Sequence, residues 1–171
     1  DKSHDADLHN RLLTIMGVNS LLKDSKNLQD KILFEPVPSG DKFLAPIIEA
    51  LRDEYAIQIT HQGFGKAYPS TYLVEPYCLK MFKQRWYMLA YSPGTDDMRV
   101  YGLDRIHALE PTRQRYKLPK VFDAEFYFRN HYGVSDMDMQ PEEVEIKIEA
   151  YQANFLRTLP LHSSQVEVDR Q

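Results

Sequence analysis

Between Tyr55 and Leu109 the apolar residues recur at about every second position, in runs separated by short polar or glycine-rich breaks. No other feature constrains the chain as much, because alternate side chains of a strand point to opposite faces. Ala56-Ile57-Gln58-Ile59-Thr60 predicts a strand that ends near the reversal Gly63-Phe64-Gly65. Residues 70–82 predict a second strand, interrupted or bulged at Pro76, which lacks the ladder donor. Lys83-Gln84 is a short turn, and Arg85 to Tyr91 is dense in the aromatic and aliphatic residues that suit a pleated surface. After the loop Ser92-Pro93-Gly94-Thr95-Asp96-Asp97, the run from Met98 to Leu109 predicts a long strand that stops before Pro111. Four successive strands with short connections make a meander, most economically a small twisted sheet or a partly closed barrel.

The flanks read differently. Leu8, Leu12, Ile15 and Met16 recur with a helical period that Gly17 weakens, and residues 27–34 predict another short helix before Glu35-Pro36-Val37-Pro38-Ser39-Gly40 breaks it. Asp41 can cap a third helix in which Phe43, Leu44, Ile47, Ile48 and Leu51 line one side, with Pro46 tolerated only near its start. Beyond the strands, residues 123–132 predict a short helix closed by Gly133, and Glu142–Glu149 alternates as a strand with one wet face. A helical turn at Ala153–Leu159 and a strand at Val166–Val168 follow. The fold class is therefore mixed α/β: a helical lead-in over 1–54, a β core over 55–115 and a small α/β extension over 122–171. A start at Asp1 rather than Met, and a stop inside the final alternation, are expected of a piece of something longer.

With 171 residues, 43% of them hydrophobic, the chain can bury a sizeable core as about one domain. A single cysteine, Cys78, excludes an internal disulfide framework and any cysteine-cluster metal site. No run approaches the roughly 18 apolar residues of a membrane span, so a reducing, cytoplasmic setting is the default. The net charge of −4 is unevenly spread. Residues 75–120 hold 9 Lys/Arg against 5 Asp/Glu, whereas residues 121–171 hold 4 against 10. The middle block thus offers an anion site on an otherwise acidic molecule.

Enzyme chemistry finds little support. The six histidines show no compact metal-ligand spacing, and Cys78, between Tyr77 and Leu79, reads as a buried strand residue rather than a nucleophile. Gly63-Phe64-Gly65-Lys66 lacks the glycine pattern, the Ser/Thr and the helix of a phosphate loop. The informative stretches are Arg85–Tyr91 and Arg99–Ile106. Alternation puts Trp86 and Met88 on one face of the first and Tyr87, Leu89 and Tyr91 on the other. In the second it groups Arg99, Tyr101, Leu103 and Arg105. Aromatic faces stack on rings and guanidinium groups grip phosphate or carboxylate, so these residues can form a surface site. The same pattern equally fits core packing by Trp86, Leu89 and Leu103, a half-buried Tyr101 and ion-paired arginines. Asp104 and Arg105, adjacent in the expected strand, should point apart. Arg113, Arg115, Lys117 and Lys120 around Tyr116 either follow a phosphate backbone or are wet surface.

Glu75-Pro76-Tyr77, Arg85-Trp86-Tyr87-Met88 with Tyr91, and Arg99-Val100-Tyr101-Gly102-Leu103-Asp104-Arg105-Ile106 together resemble the WYL domain family over residues 50–115. Met88 stands for the family's leucine and Gln84 for a glycine. Residues 122–171 resemble the extension that commonly follows such domains in bacterial regulators. The resemblance implies a five-stranded, Sm-like small β-barrel that senses a ligand within a helix-turn-helix transcriptional regulator, often a homodimer, with operator DNA bound by an upstream domain absent here. It implies no enzyme activity and no cofactor. Its effectors would be nucleotides, single-stranded nucleic acid or other anions. The matching positions put Tyr87, Arg99 and Arg105 first as ligand contacts, with Tyr72, Tyr77 and Tyr101 as ring contacts. Trp86, Leu103 and Ile106 would be structural. The alternative is a structural or interaction module whose tyrosines form a dimer seam without an effector.

Overall fold

A computed structural model describes residues 39–135 and 140–168. The helices expected over 8–23 and 27–34 lie outside these residues. Asp41–Phe43 form a 3-10 turn that runs directly into helix α1, Leu44–Asp53. Pro46 falls in the first turn of α1, where its missing N–H has no helical partner to lose. Helix α1 ends at Glu54, whose left-handed backbone (φ 54°) turns the chain into the sheet.

Five antiparallel strands follow: β1 (Tyr55–His61), β2 (Ser70–Phe82), β3 (Arg85–Ser92), β4 (Asp97–Gly102) and β5 (Ile106–Arg115). Their order across the sheet is β4-β3-β2-β1-β5. Long β2 serves both halves, pairing β1 through residues 70–74 and β3 through residues 75–82. The register slips between Pro76 and Cys78, where proline has no donor to give the ladder. Lys83 and Gln84 both take positive φ (46° and 61°), the backbone of a tight two-residue hairpin.

Three expectations need correction. The run from Met98 to Leu109 is not one strand: a 3-10 turn, Leu103–Arg105, breaks it and sends β5 to the far edge beside β1. There β5 continues through Pro111, because an edge strand tolerates a missing donor on its outer side. The sheet is not closed into a barrel, since among the described residues no ladder joins its edge strands β4 and β5. In the extension, no strand forms at 142–149 or 166–168 among the described residues, although the alternation is clean. Alternation states which face is apolar but supplies no neighbouring strand, and Val144, Ile146, Val166 and Val168 are exposed. The helices there are α2 (Ala124–Phe128), capped by the Asp123 carboxylate on the Phe126 N–H, and α3 (Ala150–Thr158). No described helix is long and apolar enough to cross a membrane.

The core lies on one face of the sheet. Phe43, Ile47 and Ala50 of the lead-in pack with Ile57, Ile59, Val74, Met88, Ala90, Tyr101, Leu103 and Ile106. Each fully buried aliphatic side chain here contributes about 1.5–3 kcal/mol. Trp86, Tyr72 and Leu79 are partly buried and border this core. The other face carries an aromatic cluster. Tyr77 stacks on Tyr116 and meets Phe122 edge-on, while Lys80 donates to the Gly133 carbonyl (2.7 Å) and lies 4.1 Å from the Phe128 ring centre. That cluster fastens residues 116–133 to β2.

Gly40 joins the lead-in to the turn after β4. Its φ of 136° suits glycine alone, and a Cβ there would come within 2.6 Å of the Asp104 nitrogen and the Leu103 carbonyl carbon. Gly40→Ala is expected to destabilise the protein by about 2 kcal/mol or more, read as a lower urea midpoint. An unchanged midpoint would show that this backbone contact does not matter.

Candidate functional site

Antiparallel pairing decides which side chains share a face. Met88 pairs with Tyr101 and Ala90 with Arg99, while Leu79 pairs with Met88 and Met81 with Trp86. Arg99 and Tyr101 therefore lie on the core face. Tyr87 pairs with Lys80 and Gly102, on the opposite face. The six expected ligand contacts do not form one surface: Tyr77 belongs to the aromatic cluster of the outer face, and Tyr87 lies on that face too. Alternation within each strand is right, but the register across the β3–β4 hairpin decides which sets coincide.

Four of the six are linked through a chain of contacts on the core face. The Tyr72 and Tyr101 ring centres are 5.9 Å apart, and Tyr101 meets the His61 ring edge-on at 5.2 Å. Arg99 acts electrostatically on Tyr101, and Arg105 on His61. Arg99 remains accessible, with its side chain 40% exposed and Asp97 3.5 Å from its Nε. Tyr101 is only 3% exposed and sits in the core, so it is not the open ring contact expected of it. Its strand becomes buried toward Gly102, where it enters the 3-10 turn. Leu103 and Ile106 are buried.

That turn gathers the charges. Asp104 accepts from Arg85 Nη1 at 2.5 Å, and its other oxygen lies 3.9 Å from Arg105 Nε. Asp104 and Arg105 thus do form a local pair, because a 3-10 turn replaces the extended geometry that would have separated them. Gly102 leaves the room: a Cβ there would come within 2.6 Å of Arg105 Nη2 and 2.7 Å of Asp104 Oδ1. Above Arg105 lies Phe64, its ring centre 4.3 Å from the guanidinium carbon and the residue 82% exposed. A large aromatic left in water against a cation is the arrangement of a stacking platform.

Sequence reasoning missed His61, Phe64 and Arg85 as participants. His61 continues the inward period of Ile57 and Ile59, which was the available signal. Phe64 stands between two glycines, where a core residue is out of place. Arg85 gave no signal, since its partner comes from a turn that the pattern hid. Elsewhere, a recess of about 530 Å³ is lined by Leu51, Arg52, Asp53, Glu54, Tyr55 and Arg115, remote in its lining from these residues. Arg115 there donates to the Tyr55 hydroxyl, so part of the basic run is engaged on the edge strand. Cys78 is half-buried, and burial pushes its thiol up to about 11, which leaves the thiolate scarce at neutral pH.

Residues 42–111 match the family model described as the WYL domain. Among solved structures, the chain is similar to one of Proteasome accessory factor B/C (PafBC) of Arthrobacter aurescens, at 23% identity and a TM-score of 0.43. The match covers 47% of this chain and spans 13% of the other. No curated protein matches it.

His61 is 8% exposed, and among the described residues its Nε2 has no hydrogen-bond partner. Burial first, and then the Arg105 charge, hold its pKa down to about 4 from an ordinary value of 6.5. The unfolded chain therefore takes up the proton first as pH falls. Stability is full above pH ~6.5 and declines down to pH ~4, by up to about 3 kcal/mol. Urea unfolding across that window should show the decline in the native chain and a flatter profile in His61→Gln. Equal profiles would exclude His61 as the source.

Proposed function

We propose, from the premise that residues 42–111 of this chain are a WYL domain, that it is the ligand-sensing part of a transcriptional regulator. Its effector is an anion bearing a planar ring, a nucleotide or a short single strand of nucleic acid, bound without turnover. The observation that carries this reading is the exposed Phe64 ring against the Arg105 guanidinium, joined through the His61, Tyr101 and Tyr72 rings to the accessible Arg99 on the same face. The accessible Arg99 and the partly covered Arg105 supply charge for phosphate, and an exposed aromatic supplies a surface for a base. Tyr72 borders the same place. The Sm-like character expected of the domain and its cytoplasmic setting belong to this reading, as does an upstream portion that would carry operator binding.

Regulation requires that the effector prefer one arrangement of the chain over another. The structure offers a short route for that preference. Arg105 and Asp104 belong to the turn whose backbone abuts Gly40, and Gly40 opens directly into the 3-10 turn and α1 of the lead-in. An effector that shifts Arg105 pushes on the segment leading to the upstream portion.

A second reading, a module for homodimerisation, is favoured by α3. It buries no residue, and Tyr151 and Phe155, one helical turn apart, are both exposed. Mass measured at several protein concentrations, with and without oligonucleotide, separates assembly from effector binding.

The first reading is tested by titrating mononucleotides and short single strands against the native chain and Arg99→Ala. The variant is expected to bind about tenfold more weakly with an unchanged melting temperature, and the native affinity should fall as salt rises. Equal binding by both proteins would remove Arg99 from the site.

A further inference from the structure

The Asp104 carboxylate serves two arginines unequally. Its Oδ2 accepts from Arg85 Nη1 at 2.5 Å, while Oδ1 stands 3.9 Å from Arg105 Nε, too far for a hydrogen bond. Both atoms of the longer pair are buried, and among the described residues neither has a hydrogen-bond partner. A buried donor and a buried acceptor left apart each lose the hydrogen bond that water would give. The three side chains also differ in freedom. Arg85 keeps 38% of its surface in water, against 21% for Arg105 and 11% for Asp104. Arg105 is hemmed in, with the Phe64 ring on its guanidinium and Gly102 so close that a Cβ there would come within 2.6 Å of its Nη2. Of the two arginines, Arg85 is the one able to leave.

We infer that Asp104 masks Arg85, and that a phosphate group binds by taking Arg85 from it while Asp104 closes on Arg105. The inference rests on the anion-site reading above and adds Arg85 to it as the residue that grips the phosphate. Arg85 trades one oxyanion for another, and Asp104 trades its bond to Arg85 for one to Arg105 Nε. No buried charge is left alone at the end of the exchange. Two guanidinium groups around one carboxylate also leave a surplus of positive charge, which a phosphate neutralises. Phe64 stays on Arg105 throughout, as the surface for a planar group. Because Asp104 competes for Arg85, it lowers the affinity for phosphate and sets the concentration at which the exchange occurs. The exchange takes place on the turn whose backbone abuts Gly40, at the root of the lead-in.

The test is calorimetric titration of adenosine 5′-monophosphate and of inorganic phosphate, at fixed ionic strength, into the native chain, Asp104→Asn and Arg85→Gln. Asp104→Asn keeps an acceptor for Arg85 but removes the competing charge, and it is expected to bind both ligands about tenfold more tightly than the native chain. Arg85→Gln is expected to bind both about tenfold more weakly. In the native chain, saturation with inorganic phosphate should move the Arg105 Nε–H proton resonance downfield as its bond to Asp104 forms. Unchanged or weaker binding by a folded Asp104→Asn, unchanged or tighter binding by Arg85→Gln, or an unmoved Arg105 resonance would each overturn the exchange. Binding of the nucleotide by the native chain alongside any of these would leave the anion-site reading standing. If neither ligand binds the native chain or Asp104→Asn, both readings fall. Should Asp104→Asn not fold, Arg85→Gln and the Arg105 resonance decide.

Discussion

The pairing of Met88 with Tyr101 across the β3–β4 hairpin governs the rest of the molecule. It places β4's inward set, Arg99 and Tyr101, over the same face as Trp86, Met88 and Ala90, and it sends Tyr87 and Leu89 to the other side. A slip of one residue would reverse every side chain of β4, putting Val100 in the core and Arg99 on the aromatic face. The large apolar surface that Met88, Tyr101 and Leu103 bury in the core they share with Ile47 and Ala50 of α1 holds that register against the alternatives. The polar end of the core face exists because the register fixes it there.

Once the register is set, a short break does the remaining work. Leu103–Arg105 turns the chain from one edge of the sheet to the other, and in doing so brings Asp104 between Arg85 and Arg105. An isolated exposed pair of this kind contributes about 0–1 kcal/mol, but Asp104 is largely buried, so its partners matter more. Gly102 on one side and Gly40 on the other leave no space for an added carbon. The turn is therefore held from behind by the lead-in and in front by the charges.

The strands were legible because period-two alternation is a strong local signal, and Pro76, Lys83-Gln84 and the 93–96 loop mark their interruptions. What was not legible depends on contacts far apart in sequence. Leu103–Arg105 keeps the alternation of its neighbours, so nothing local separates β4 from β5. The face shared by Arg99 and Trp86 depends on hairpin register rather than on either strand alone. Val144, Ile146 and Ile148 alternate as well as any strand in the core, yet form none, because among the described residues no neighbouring strand pairs with them. Of the site, the arginines and Tyr72 were visible from the sequence. Phe64 and His61 were present in it as an aromatic between glycines and as the last inward residue of β1, and their meaning came only with the fold.

The most direct measurement is a map of amide and arginine side-chain NMR shifts while a mononucleotide is added to the isotopically labelled chain. The account predicts that shifts concentrate at Phe64, Arg99, Tyr101, Asp104 and Arg105, and extend through the contact to Gly40. Shifts confined to the outer face around Tyr77 and Tyr87, or to the recess beside Arg115, would contradict it.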